Sequence, residues 1–220
     1  FAGLSNTTGA QNTFAGQYSG YTNTTGLDNS FYGRQSAFLN TTGSYNTALG
    51  TYALYSNTTA SNNTAVGYQA GYSGTTATTT GISNTSVGTS SLQLNTTGQN
   101  NVALGTGSLY ANTTGQSNTS VGSNALVANT TASYNTAVGH HSLKLNTTGS
   151  ENAGFGSFSL QANTTGGSNT ALGYQALDGN TTGSNSVAIG RDALVANTTA
   201  SNNTAVGYQA GYSNTTGTQN

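Results

Sequence analysis

The 220-residue chain holds no cysteine, proline, methionine or tryptophan, and only 3% of its residues are charged. Each absence excludes something. Without cysteine there is no disulfide framework and no thiol chemistry. Three basic residues cannot neutralise a run of phosphates, so nucleic acid is not an expected partner. An electrostatically held membrane surface is excluded on the same ground. No apolar run approaches the roughly 20 residues of a spanning helix, so no membrane insertion of this segment is expected. Disordered chains are usually rich in charge and proline, and this one has neither. What remains is Asn, Thr, Ser and 31 glycines, a composition that needs an ordered backbone.

That order is visible as a repeat. The stretch TASNNTAVGYQAGYS, from Thr59 to Ser73, returns unchanged from Thr199 to Ser213. Alignment on the tetrad that ends in glycine gives twelve units, the first at Asn12 and the last at Asn203, spaced by 17 residues. One step, from Asn63 to Asn84, is 21, which places a four-residue insertion within 74–83. The consensus is N-T-A-V-G-x-x-A-L-x-x-N-T-T-G-x-x, numbered here 1 to 17. Position 5 is glycine in all twelve units, from Gly16 to Gly207. The chain opens at Phe1 in mid-pattern, which suggests a window of a longer array or a subunit that stacks end to end.

A period of 17 is too short for a helical-pair repeat, which needs about 33 residues. It suits one coil of a parallel β-solenoid, a β-roll of about twelve coils. The alternation at positions 2 to 5 predicts one strand, and positions 7 to 10 a second. Positions 4 and 9 supply an apolar rank, positions 3 and 8 a rank of small residues. The NTTG segment is a turn by composition. Coils stacked at about 4.8 Å would make a rod of roughly 60 Å, with Asn and Thr in hydrogen-bonded ladders. Charges fall only at positions 6, 7, 10 and 17, which are therefore the expected solvent-facing set; ten of the thirteen tyrosines share positions 6, 7 and 10.

The SVAIG motif at Ser186, followed by Arg191 and Asp192, resembles the coil motif of the YadA-like trimeric autotransporter adhesin heads. The wider NTAVGYQAL-x-x-NTTG pattern is similar to repeats of bacterial surface fibres and phage tail fibres. The resemblance spans Asn12 to Asn220. It implies a left-handed, trimeric β-roll, an extracellular or cell-surface location (or a virion tail fibre), and a role as an adhesin stalk or head. The family's coil is shorter, and the additional residues here fall in the NTTG turn. Two apolar faces per coil also favour burial of one face against other copies of the chain.

No catalytic set emerges, and no enzyme activity, metal or cofactor is expected. His140 and His141 are adjacent in a segment read as extended, so their side chains should point to opposite faces. Asp28 and Glu151 share a phase but lie many coils apart. The strongest local signal is Asn-Thr-Thr, at Asn6, Asn23, Asn40, Asn57, Asn95, Asn112, Asn129, Asn146, Asn163, Asn180, Asn197 and Asn214. Each is formally an N-glycosylation acceptor. The competing reading is that Asn and Thr build stacked turns. Flat ranks of Thr also suggest ice binding, although adjacent threonines in an extended segment would face opposite ways. If the chain is instead a receptor- or glycan-binding part of a tail fibre, contacting surface glycans or a host receptor, then Tyr68, Tyr174 and Tyr208 are the candidate contact surface.

Overall fold

A computed structural model describes residues 1–74 and 80–220. The insertion placed within 74–83 falls largely outside these residues. The chain divides into two compact units, Phe1–Thr114 and Gly115–Asn220. Both are parallel β-solenoid, as the 17-residue period predicts, with one three-residue strand per coil.

The first unit holds β1 (Thr13–Ala15), β2 (Ser30–Tyr32), β3 (Thr47–Leu49), β4 (Thr64–Val66), β5 (Thr85–Val87) and β6 (Val102–Leu104). Each pairs parallel with the next and in phase, as in Thr47 with Thr64, Ala48 with Ala65 and Leu49 with Val66. The second unit holds β7 (Thr119–Val121), β8 (Thr136–Val138), β9 (Ala153–Phe155), β10 (Thr170–Leu172), β11 (Val187–Ile189) and β12 (Thr204–Val206), paired in the same manner.

The expected second strand at positions 7 to 10 does not form. That segment is a continuous turn because positions 7 and 9 both take the left-handed backbone conformation. Gln35 has φ of 54° and Ala37 of 45°; His141 has 58° and Leu143 of 51°. Alternate residues of opposite hand cannot run as a strand. The backbone is still satisfied between coils. Ala37 N–H donates to the Ala53 carbonyl (2.8 Å) and Leu39 N–H to the Tyr55 carbonyl (3.0 Å).

Position 5 explains its own invariance. Gly156 has φ of 130°, and a Cβ there would lie 2.5 Å from the Gly173 carbonyl oxygen. No other residue tolerates both the conformation and the approach. The NTTG turn is closed by convergence on one acceptor. The N–H groups of Thr24, Thr25 and Gly26 all donate to the Thr41 carbonyl, joined by the Thr24 hydroxyl (3.1 Å).

The core is narrow. Because β residues alternate, position 3 points in while positions 2 and 4 point out. Positions 3, 8 and 9 line the interior, as in Ala137, Ser142 and Leu143, all fully buried. The placement of position 4 in the core is corrected by this alternation: Leu49 and Leu172 are each 49% exposed, and Phe155 is 40%. Each buried leucine at position 9 contributes about 1.5–3 kcal/mol. In the first coils the large side chain moves. Phe14 and Phe31 at position 3 stack at 5.3 Å, and position 9 shrinks to Gly20 and Ala37. A Cβ on Gly20 would lie 2.7 Å from the Phe14 ring.

Candidate interaction surfaces

The asparagine columns come first, because they decide where the Asn-Thr-Thr sites point. Asn40 Nδ2 donates to Asn23 Oδ1 (2.7 Å) and to the Gly43 carbonyl of its own turn (3.0 Å). The position-1 residue Asn29 donates to the same carbonyl (2.9 Å), and its Oδ1 accepts the Asn46 N–H (2.9 Å). In the second unit Asn163 Nδ2 donates to Asn146 Oδ1 (2.8 Å) and Gly166 carbonyl (2.9 Å), while Asn163 Oδ1 accepts from Asn180 (2.8 Å). These columns are interior amide ladders.

Ten of the twelve candidate glycosylation residues are therefore buried: Asn23, Asn40, Asn57, Asn95, Asn112, Asn129, Asn146, Asn163, Asn180 and Asn197 are at most 3% exposed. The nitrogen that would carry a glycan is the one that donates into the ladder. A sugar there is incompatible with the folded coil. Asn6 is exposed and Asn214 half-buried. Among the described residues the ladder is interrupted after Asn57. Asn57 Oδ1 is buried without a partner, and the next coil carries Gly74 where an Asn would donate. Of the two threonines, the first turns its hydroxyl to the neighbouring coil, as Thr164 does to the Thr181 carbonyl (3.0 Å). Only the second is exposed, as at Thr165 and Thr182.

The charged positions are largely outward. Position 7 is the exception, since its left-handed backbone tucks the side chain against the coil. Asp192 is 7% exposed and pairs with Arg191 at 3.2 Å. The same geometry corrects the reading of the histidines. Their rings do not point to opposite faces; they stack with centroids 3.8 Å apart, because His141 follows a turn and not a strand. Burial, then His140 and Lys144, hold the His141 pKa below the usual value. Asp178 is held above its usual value, first by burial. Among the described residues no group of three or more metal-ligating side chains gathers. No helix of the described residues is long and apolar enough to cross a membrane.

Of the candidate contact tyrosines, Tyr68 (49% exposed) sits 6.2 Å from the Tyr52 ring. Tyr174 (43%) sits 5.8 Å from Phe158, with the Arg191 guanidinium over its face at 5.5 Å. Tyr208 is 68% exposed. Tyr68 belongs to the first unit, and Tyr174 and Tyr208, two coils apart, to the second.

Two surfaces were not legible as such from the consensus. One is the outward rank at position 4. The other is a column of rings at position 10 of the first four coils: Tyr21, Phe38, Tyr55 and Tyr72, at successive centroid distances of 5.2, 5.3 and 5.3 Å. Tyr18 and Tyr52, at position 7, meet this column edge-on. Reading down position 10 coil by coil gives the signal that the averaged unit hides. Comparison of the chain with protein-family models, with curated proteins and with solved structures finds no match.

Proposed function

We propose that this chain is a non-enzymatic, extracellular structural module, a stretch of surface fibre or adhesin stalk or head, as its likeness to YadA-like repeats implies. One observation carries the reading: every strand turns a position-4 side chain outward, usually Val, Leu or Ile, onto a face almost free of charge. A row such as Val138, Phe155, Leu172 and Ile189 is an apolar stripe that parallel copies would cover. The occupant is a further copy of this chain, in the trimer the resemblance implies or in another homo-oligomer. Sedimentation equilibrium tests it. Oligomers that Leu172→Lys and Ile189→Lys together reduce to monomers support the reading. A wild-type monomer at all concentrations rejects it.

A second reading, a receptor- or glycan-binding segment of a tail fibre, is favoured by the aromatic column of the first unit. On a glycan array it predicts hits. If there are none, the reading loses its support; hits unchanged by Tyr68→Ala and Tyr208→Ala would remove those tyrosines from the contact surface and leave the column.

A further inference from the structure

We propose that the position-10 rings of the first four coils form a binding platform for a linear, neutral polysaccharide laid along the coil stack. The proposal rests on the glycan-binding reading and gives it a place and a ligand class.

Three observations converge. The first is confinement. Tyr21, Phe38, Tyr55 and Tyr72 follow one another without a break, whereas elsewhere position 10 holds Gln, Val, Lys, Asp or an isolated Tyr. The core does not require rings here, since coils with Lys144 or Asp178 at position 10 have the same backbone hydrogen bonds. The second is geometry. Tyr21 and Phe38 lie 5° from parallel, Phe38 and Tyr55 lie 7° from parallel, and centroids step by 5.2–5.3 Å. Parallel rings that far apart are offset, and all four are half-buried, so each keeps part of its surface in solvent. The centroid steps are equal, with the last ring, Tyr72, tilted 38° from Tyr55, and a chain of equal sugar units can meet them repeatedly. Among folded protein partners only a second copy of this chain would share that period.

The third is polarity. The column is flanked by Gln35 and Gln69 at position 7, with the phenol hydroxyls of Tyr18 and Tyr52. Arg34 is the one charged side chain beside it, and it is engaged by Tyr52, donating to the hydroxyl (2.6 Å) with its guanidinium over the ring at 4.9 Å. Apolar ring surface beside neutral donors and acceptors matches the C–H patches and hydroxyls of a pyranose. It offers little to an anionic chain.

The test uses the tyrosine fluorescence of the whole chain, which no tryptophan masks. Cellohexaose and cellobiose are the probes. Cellohexaose should bind at least about tenfold more tightly than cellobiose, because several rings are engaged at once. Phe38→Leu removes a ring but keeps apolar cover, and should weaken cellohexaose about tenfold with unchanged circular dichroism. Tyr134→Ala, an exposed position-17 control, should not. Equal affinity for the two sugars, or equal losses in both variants, would overturn the platform. Array hits that survive Phe38→Leu would also overturn it while leaving glycan binding intact; an array with no hits removes both. Oligomers that dissociate in Phe38→Leu would assign the column to contact between copies and overturn the proposal.

Discussion

In the coil that begins at Asn29, position 3 is Phe31 and position 9 is Ala37. In the coil that begins at Asn135, position 3 is Ala137 and position 9 is Leu143. Both pairs are fully buried. In these two coils one large side chain fills the cross-section, from the strand in one and from the turn opposite in the other; the coils at Asn63 and Asn203 carry neither, with Ala65 and Gly71 and with Ala205 and Gly211. The outer surface does not follow the core. The two Phe coils carry Tyr21 and Phe38, but the aromatic column continues as Tyr55 and Tyr72 over coils with Leu54 and Gly71 at position 9, while the coil of Leu143 carries Lys144 and the stacked histidines. What the two regions share is the frame: glycine at position 5, the left-handed residues at 7 and 9, and the amide ladders. The frame thus sets the coil, and the core and outer face vary within it.

The largest effect should come from breaking what is common. Gly33→Ala and Gly156→Ala each place a Cβ within 2.7 Å of the next coil's backbone, at φ of 126° and 130°. Each should cost about 3 kcal/mol or more in urea unfolding, and similarly in both regions.

The core exchange comes next. Phe31→Ala should cost about 3–5 kcal/mol and Ala37→Leu about 1–3 kcal/mol. Together they should recover much of that loss, because the double variant restores the Leu-type cross-section. Additive losses in a double-mutant cycle would show that the two positions do not share one space.

The ladders predict a smaller contrast. Asn163→Ala removes three amide hydrogen bonds and should cost about 2–3 kcal/mol. Asn57→Ala removes two, to Asn40 Oδ1 (2.7 Å) and the Ala60 carbonyl (3.0 Å), and orphans no donor in the next coil. Its cost should be lower by roughly 1 kcal/mol, read from chemical denaturation of both variants.

The smallest effects are in pH, and both belong to the second unit. His141 is held below its unfolded pKa, so the unfolded chain takes up the proton first. Stability should therefore fall as pH drops from about 6.5 through the folded value. Asp178 is held above its unfolded pKa, so its folded form keeps the proton longer. Stability should fall as pH rises from about 3.8 through the raised value, and Asp178→Asn should remove that slope. Thermal midpoints across pH check both.

The period, the parallel solenoid and the need for glycine at position 5 were legible in the sequence, because they rest on phase alone. The single strand per coil was not. Leu143 and Gln175 are ordinary residues by propensity, and nothing in their type announces a left-handed backbone. With positions 7 to 10 no longer a strand, the histidines stack; position 4 faces out because it alternates with the inward position 3 on the one strand that forms. The Asn-Thr-Thr sites were ambiguous for a different reason. A buried amide ladder and an exposed acceptor site have the same composition, and only direction separates them. The aromatic column escaped because a consensus averages over coils, whereas Tyr21, Phe38, Tyr55 and Tyr72 are a property of four.

The central claim is that residues 17 apart are stacked neighbours, with one strand per coil. The chain has no native cysteine, so paired spin labels report it cleanly. Labels on Thr165→Cys and Thr182→Cys, both at the exposed position 14, should lie about one strand spacing apart and show strong spin exchange. Labels on Thr165→Cys and Tyr174→Cys, nine residues apart in sequence, should not. Exchange in the second pair and its absence in the first would contradict the stacked coil.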